Sequence, residues 1–488
     1  MKRLAYITAL LFIACGAWAQ QAEAPQTTVS PEELRAAIAA LQQARTELQQ
    51  SQKQVQELRH EVEELKAKVD AQTIPPVSAE AQPQAPAAPA AEEQQVTEAR
   101  IQELDQKKVE SGSKYSVKFS GLILFNAFTN IGFVNNQDVP NLALNRPPGS
   151  SGGDFGATLR QTLMGIQATG PTIAGARTSA SVDWDFFGGF PNTLDGSALG
   201  IVRLRTGDIR FDWQKWSLSF GQQQPFMTPL SPTSLAAIGT PSLGYSGNLW
   251  AWTPQMSAKR TWSISDRTDA ALQFGWLDPL SGQLPAQEYL RKPDAGELSR
   301  VPAFAVRQSF THNNGATPIE FGVGGYVGRQ DYGIQGAVTS WAATLDWTAP
   351  LGNKFEWSGE FFRGRAIGGL WGGVGTSVVF TEDPTDPLAR VVPVNAIGGW
   401  SQLKFKPAQK WEFNAAFGED NPFAQDVERF GYGPYSPVLR NWTTMVNVIQ
   451  HLRSNVLWSV EYRHLNTVPF SGMRATADHV NIAVGYKF

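Results

Sequence analysis

The sequence predicts an all-β transmembrane antiparallel barrel of about 16 strands, preceded by an α-helical coiled-coil stalk. Three observations carry that expectation. Phe, Trp and Tyr are absent from Gln20 to Gly112 and plentiful after it. From Tyr115 onward apolar residues recur at every second position, in segments separated alternately by short turns and long loops. The chain ends on one more such segment, in which Val480, Ile482, Val484, Tyr486 and Phe488 alternate with Asn481, Ala483, Gly485 and Lys487.

Residues 1–19 read as an export signal. Lys2 and Arg3 form the charged start, Leu4 to Ala14 the apolar stretch, and Ala17-Trp18-Ala19 the cleavage site before Gln20. The apolar stretch is shorter than the ~20 residues a spanning helix needs. Lipidation at Cys15 is the competing reading, but Phe12-Ile13-Ala14-Cys15 lacks the usual Leu three places earlier. Cys15 is the only cysteine, so ordinary cleavage leaves a chain stabilised by strand pairing or burial rather than disulfides. No later apolar run is long enough for a helix to cross a membrane. A soluble periplasmic protein or a closed barrel remains.

Residues 30–72 predict a periplasmic coiled coil. Leu34, Leu41, Leu48, Val55, Val62 and Val69 recur every seven residues, with Ala37, Ala44, Ser51, Leu58 and Leu65 three places on. A single amphipathic helix is the alternative. Residues 73–112 form a Pro/Ala-rich linker with one short helix around Ile101 and Leu104. Residues 113–488 are assigned to the barrel.

There the period is two. Val117, Phe119, Ile123 and Phe125 share one face and Lys118, Ser120 and Asn126 the other, and the pattern repeats at 178–186, 411–417 and 456–462. A soluble sandwich would turn the apolar face to a core, and a barrel would turn it to lipid. Connection lengths favour the barrel. Strands are expected near 115–131, 158–169, 177–187, 200–212, 216–224, 258–264, 269–277 and 303–311. They continue near 319–328, 337–348, 354–364, 397–406, 410–418, 441–451, 455–464 and 478–488. Short turns such as Trp213-Gln214-Lys215 alternate with long Gly- and Pro-rich loops, the layout of an outer-membrane barrel. The aromatic C-terminal strand resembles the signal read by the barrel-assembly machinery, an expected partner together with outer-membrane lipid.

Charge and motifs exclude other functions. Net charge is −3, and residues 113–488 are nearly balanced, so no nucleic-acid partner is expected. Gly149-Ser150-Ser151-Gly152-Gly153 fits the G-x-S-x-G expression, yet Pro147-Pro148 precede it and no helix follows, so it reads as a loop. The glycines from Gly322 to Gly328 alternate as a strand. The five histidines are scattered. No metal, cofactor or enzymatic activity is expected, with a barrel hydrolase using Ser and His as the remaining rival.

Candidate lumen residues cluster on the fourth strand. Arg203 and Arg205 share a face. Arg210 has the opposite parity, which requires a bulge between them or a different exposure. Arg307, Arg363, Arg365, Lys404 and Lys406 are further basic candidates, with Asp183, Asp185, Glu320, Glu356, Glu360 and Glu461 as acidic counterparts. For any one of them, solvation and cross-strand pairing of the wall is the simpler account. The connection from Pro225 to Ala258 has no charged residue. It either folds into the pore or lies outside it, and both readings stay open.

The chain resembles the DcaP-like family of trimeric porins through its stalk-linker-barrel order, Asp185-Phe186-Phe187-Gly188-Gly189, Arg203-Leu204-Arg205, Phe220-Gly221-Gln222, Pro254-Gln255 and the aromatic terminus. The resemblance implies a sixteen-stranded homotrimer that admits small anions, including dicarboxylates, past arginines in a constriction. Thr206-Gly207-Asp208 and the uncharged third loop depart from the family and bear on the substrate. The expected function is passive diffusion of small hydrophilic solutes, favouring small anions. The alternative is an anchor that tethers the cell wall, binding peptidoglycan through the coiled coil.

Overall fold

The computed structural model describes residues 115–190, 200–282, 291–313, 318–428, 437–470 and 473–488. The export signal, coiled coil and linker expected over 1–112 lie outside the described residues.

Sixteen staves close into one antiparallel barrel. They are β1 (Val117–Ile131), β2 in two pieces (Gly153–Thr158 and Leu163–Thr169), β3 (Arg177–Asp185), β4 (Arg203–Asp212), β5 (Trp216–Gln223), β6 (Thr253–Ser265), β7 (Thr268–Leu277) and β8 (Ala303–His312). The series continues with β9 (Ile319–Asp331), β10 (Ala337–Leu351), β11 (Phe355–Arg365), β12 (Asn395–Ala408), β13 (Trp411–Pro422), β14 (Val438–His451), β15 (Val456–Pro469) and β16 (Ala475–Lys487). Each stave pairs with its sequence neighbours, and β1 pairs with β16 from Leu122↔Lys487 to Ile131↔Asp478. Closure leaves no strand edge unpaired, which satisfies the backbone in lipid. Both pieces of β2 pair with β1.

All sixteen segments expected from the period of two are staves. Their outward faces are apolar and exposed: Phe119, Ile123 and Phe125 on β1, Phe413 and Phe417 on β13, and Ile482, Val484 and Tyr486 on β16. The facing residues are polar and buried, such as Asn126, Asn414 and Asn481. Apolar-out, polar-in is the inverse of a soluble sandwich and matches a membrane barrel. Connections at one end are short throughout. At the other, two break the expected pattern of long loops: only five residues separate β9 from β10, and five separate β15 from β16.

The third loop, 224–252, folds inside the barrel, which decides between the two readings of that segment. Phe226, Met227 and Leu249 of this loop pack in one cluster with Tyr326, Phe362 and Ile367. Polar wall residues receive its backbone. Glu360 Oε1 accepts from Leu230 N at 2.8 Å, and Gln402 Oε1 accepts from Thr233 N at 2.7 Å. Asn447 Nδ2 donates to Thr233 O at 2.8 Å, and Asn126 Nδ2 to Leu235 O at 3.0 Å. A loop without charges can be enclosed this way because only its backbone and hydroxyls need partners. Strand β6 begins at Thr253 rather than near 258, so Trp250 and Trp252 belong to the loop or its junction.

Candidate constriction site

Arg203 and Arg205 stand where β4 meets the inward loop. Asp185, at the end of β3, is fully buried between them. Arg203 donates to both its oxygens, Nε to Oδ1 at 3.1 Å and Nη2 to Oδ2 at 2.6 Å. Arg205 Nη1 lies 3.6 Å from Oδ2. Both guanidiniums also hold the third loop: Arg203 Nη2 donates to Gly239 O at 2.6 Å, and Arg205 Nη1 donates to Ile238 O. Their side chains stay 28% and 16% exposed, while Asp185 is sealed. The arrangement therefore offers cationic surface to a solute while its partner carboxylate faces away.

Aromatic rings fix the guanidiniums in place. Arg205 Cζ is 4.3 Å from the Trp252 ring centroid, and Arg203 lies 5.1 Å from it and 5.6 Å from that of Phe187. Arg160 extends the row, 4.4 Å from Phe187 and 4.1 Å from Phe190. It is neutralised by Asp138 at 2.5 Å. Such cation–π contacts favour a planar guanidinium over an ammonium. Sequence reasoning missed Arg160, Asp138 and the role of Trp252. The signal available was the lapse of alternation at Leu159-Arg160-Gln161-Thr162, where β2 breaks and Gln161 turns to cap the loop backbone at Ile238 and Gly239.

The other expected residues are spread around the barrel. The β3–β4 register shifts between Asp183 and Trp184, a bulge that places Arg210 on the same side as Arg203. Arg210 Nε lies 3.5 Å from Asp208. Asp183 accepts from Thr206 Oγ1 at 2.9 Å. Arg307 faces inward but is enclosed, bound by Asp346 at 2.6 Å and Glu320 at 2.8 Å. Lys404 bridges Glu356 at 3.4 Å and Glu412 at 3.8 Å. Lys406 pairs with Glu412 at 3.4 Å. Glu461 binds Arg463 at 2.5 Å and accepts from loop residue Ser234 at 2.6 Å.

Arg363 and Arg365 are a correction. On β11 the buried, inward set is Ser358, Glu360, Phe362 and Gly364, so the two arginines share the outward face with Trp357 and Phe361. Arg363 lies against the rings of Phe423 and Trp341, at 4.5 and 5.4 Å. The period of two puts Arg363 and Arg365 on one face, but nothing in Phe361-Phe362 tells which of two aromatics faces lipid.

No protein-family model and no curated protein matches the chain. Among solved structures, it aligns with the outer-membrane channel DcaP of Acinetobacter baumannii at a TM-score of 0.57 and 14% identity, over 77% of this chain and 99% of that one. It also aligns with an anion-selective porin from Comamonas acidovorans at a TM-score of 0.47 and 12% identity, over 77% and 100%. The chain has the fold of the DcaP channel, here a closed antiparallel barrel of sixteen staves.

Proposed function

We propose that this barrel is an outer-membrane porin for passive diffusion of small hydrophilic solutes, with a weak preference for small anions such as carboxylates and dicarboxylates. The observation that carries this reading is the pair of partly exposed arginines, Arg203 and Arg205, sharing the single buried carboxylate of Asp185 beneath a loop that brings no acid of its own. Barrels of this strand number enclose an aqueous channel. A narrowing with a local surplus of positive charge favours anions, and salt screens it over a Debye length of ~8 Å at physiological strength. Asp183 is the counterweight, and it keeps the preference weak.

The test is the reversal potential of purified protein in a planar bilayer under a salt gradient. At ~5 Å in a water-like medium one unit charge is worth ~0.8 kcal/mol, about fourfold in permeability ratio. Arg203→Ala with Arg205→Ala should therefore shift selectivity toward cations by at least about that factor. An unchanged potential would make the arginines structural partners and end the anion reading, while a silent wild-type barrel would end the porin reading.

We also infer a homotrimer whose lateral contact lies on β2 to β5. The wall is low there: β3 has 9 residues, β4 has 10 and β5 has 8, against 15 in β10. Eight residues at ~3.3 Å each and a tilt near 45° rise only ~19 Å, short of the ~25 Å apolar band. A neighbouring barrel covers that shortfall better than lipid does, and Leu204, Ile209 and Val182 offer it an apolar surface.

A further inference from the structure

Arg329 of β9 and Arg363 and Arg365 of β11 form an outward patch at the loop end of the barrel. The register places them together: Trp341 of β10 is opposite Arg365, Ala343 opposite Arg363, and Arg329 opposite Thr339. With strands ~4.8 Å apart and each residue advancing ~3.3 Å, the Cα atom of Arg329 lies about 12 Å from that of Arg365 and about 16 Å from that of Arg363. Among the described residues, none of the three has a carboxylate within 4 Å, whereas most lumen arginines are paired. Arg363 is held ready instead. It donates to Asn395 Oδ1 at 3.1 Å and Ala396 O at 3.2 Å, and it lies against Phe423 and Trp341.

We propose that this patch binds the phosphate groups of an outer-leaflet lipid. The inference rests on the barrel spanning a membrane, not on its conducting. Unpaired guanidiniums on a lipid-facing wall are costly unless an anion meets them, and the last residues of β9 and β11 lie at headgroup depth. Arg rather than Lys, with Trp beside it, suits bidentate contact to phosphate at an interface. The occupant is a lipid rather than a second barrel because β9 to β11 lie across the barrel from the low wall of β2 to β5 and are tall enough to span. Asp331, which shares the outward face of β9, caps the following turn through Gly333 N at 2.9 Å and offsets only part of the charge.

The test compares full-length protein in mild detergent with phosphorylated lipid A, with the same lipid stripped of phosphate, and with inorganic phosphate. Phosphorylated lipid A should stay bound in native mass spectrometry and raise the temperature at which the barrel unfolds on a gel. The stripped lipid and free phosphate should do neither. Arg329→Gln with Arg365→Gln should lower the retained lipid at least about threefold, since each charge-assisted phosphate contact contributes more than a neutral one. Equal retention of the stripped lipid would show acyl packing alone and overturn the proposal, as would a double variant that binds like wild type. Neither result depends on conductance, so the porin reading stands or falls separately.

Discussion

At the scale of residues, the lumen is held by a few buried charges whose partners reach across the chain. Arg463 and Glu461 are 1% and 0% exposed, and Ser234 of the third loop bonds both, donating to Glu461 at 2.6 Å and accepting from Arg463 Nη2 at 3.0 Å. Removing one member of such a pair costs about 3–5 kcal/mol, because the other charge is left buried alone. Glu461→Gln should therefore lower the unfolding temperature on a gel and raise open-channel current noise as the loop loosens. Ser234→Ala should raise noise with a much smaller thermal change. An unaltered Glu461→Gln barrel would show that the pair does not anchor the loop.

At the scale of elements, the third loop lies close to the wall because small residues allow it. Gly247 has φ +92°, and a Cβ there would sit 2.2 Å from Gly399 O of β12. Across from it, a Cβ on Gly418 of β13 would meet Ser246 O at 2.2 Å. Gly247→Ala carries a backbone cost of ~1–2 kcal/mol besides the clash, so it should displace the loop and change single-channel conductance, with the barrel still folded by heat-modifiability. The fourth loop carries a pH dependence. Burial first, then nearby Glu297, pushes the Asp278 carboxyl above its ordinary range, while Arg291 pulls it down. A raised value means that folding holds the proton, so this contribution is present at low pH and lost as pH rises through the raised value. Asp278→Asn should slow proteolysis of the loop at neutral pH. The gain should shrink toward about pH 4, near the ordinary Asp value, and a gain independent of pH would count against burial as its cause.

At the scale of the whole molecule, wall height divides the barrel into a low side and a tall side. Lateral association on the low side is expected to persist without residues 20–111. Deleting residues 20–111 should weaken but not abolish the trimer in mild detergent, whereas charged residues at Leu204 and Ile209 should yield monomers. A full-length protein that is monomeric under the same conditions would refute the trimer.

The sequence by itself determined the barrel: its sixteen staves, its order and its apolar outer face. Period-two alternation and turn spacing are local, and lipid makes that local pattern binding because every backbone group must pair. Arg203 and Arg205 were legible as one rung for the same reason. Tertiary structure alone decided where charges go next. A bulge in the β3–β4 pairing moved Arg210 onto the lumen side, and the parity of β11 turned Arg363 and Arg365 outward. It also decided the inward fold of the third loop, the enclosure of Arg307 by Asp346 and Glu320, and the union of Asp138 with Arg160. These contacts join residues far apart in sequence. They depend on which side chains a closed barrel brings face to face, and no local period encodes that.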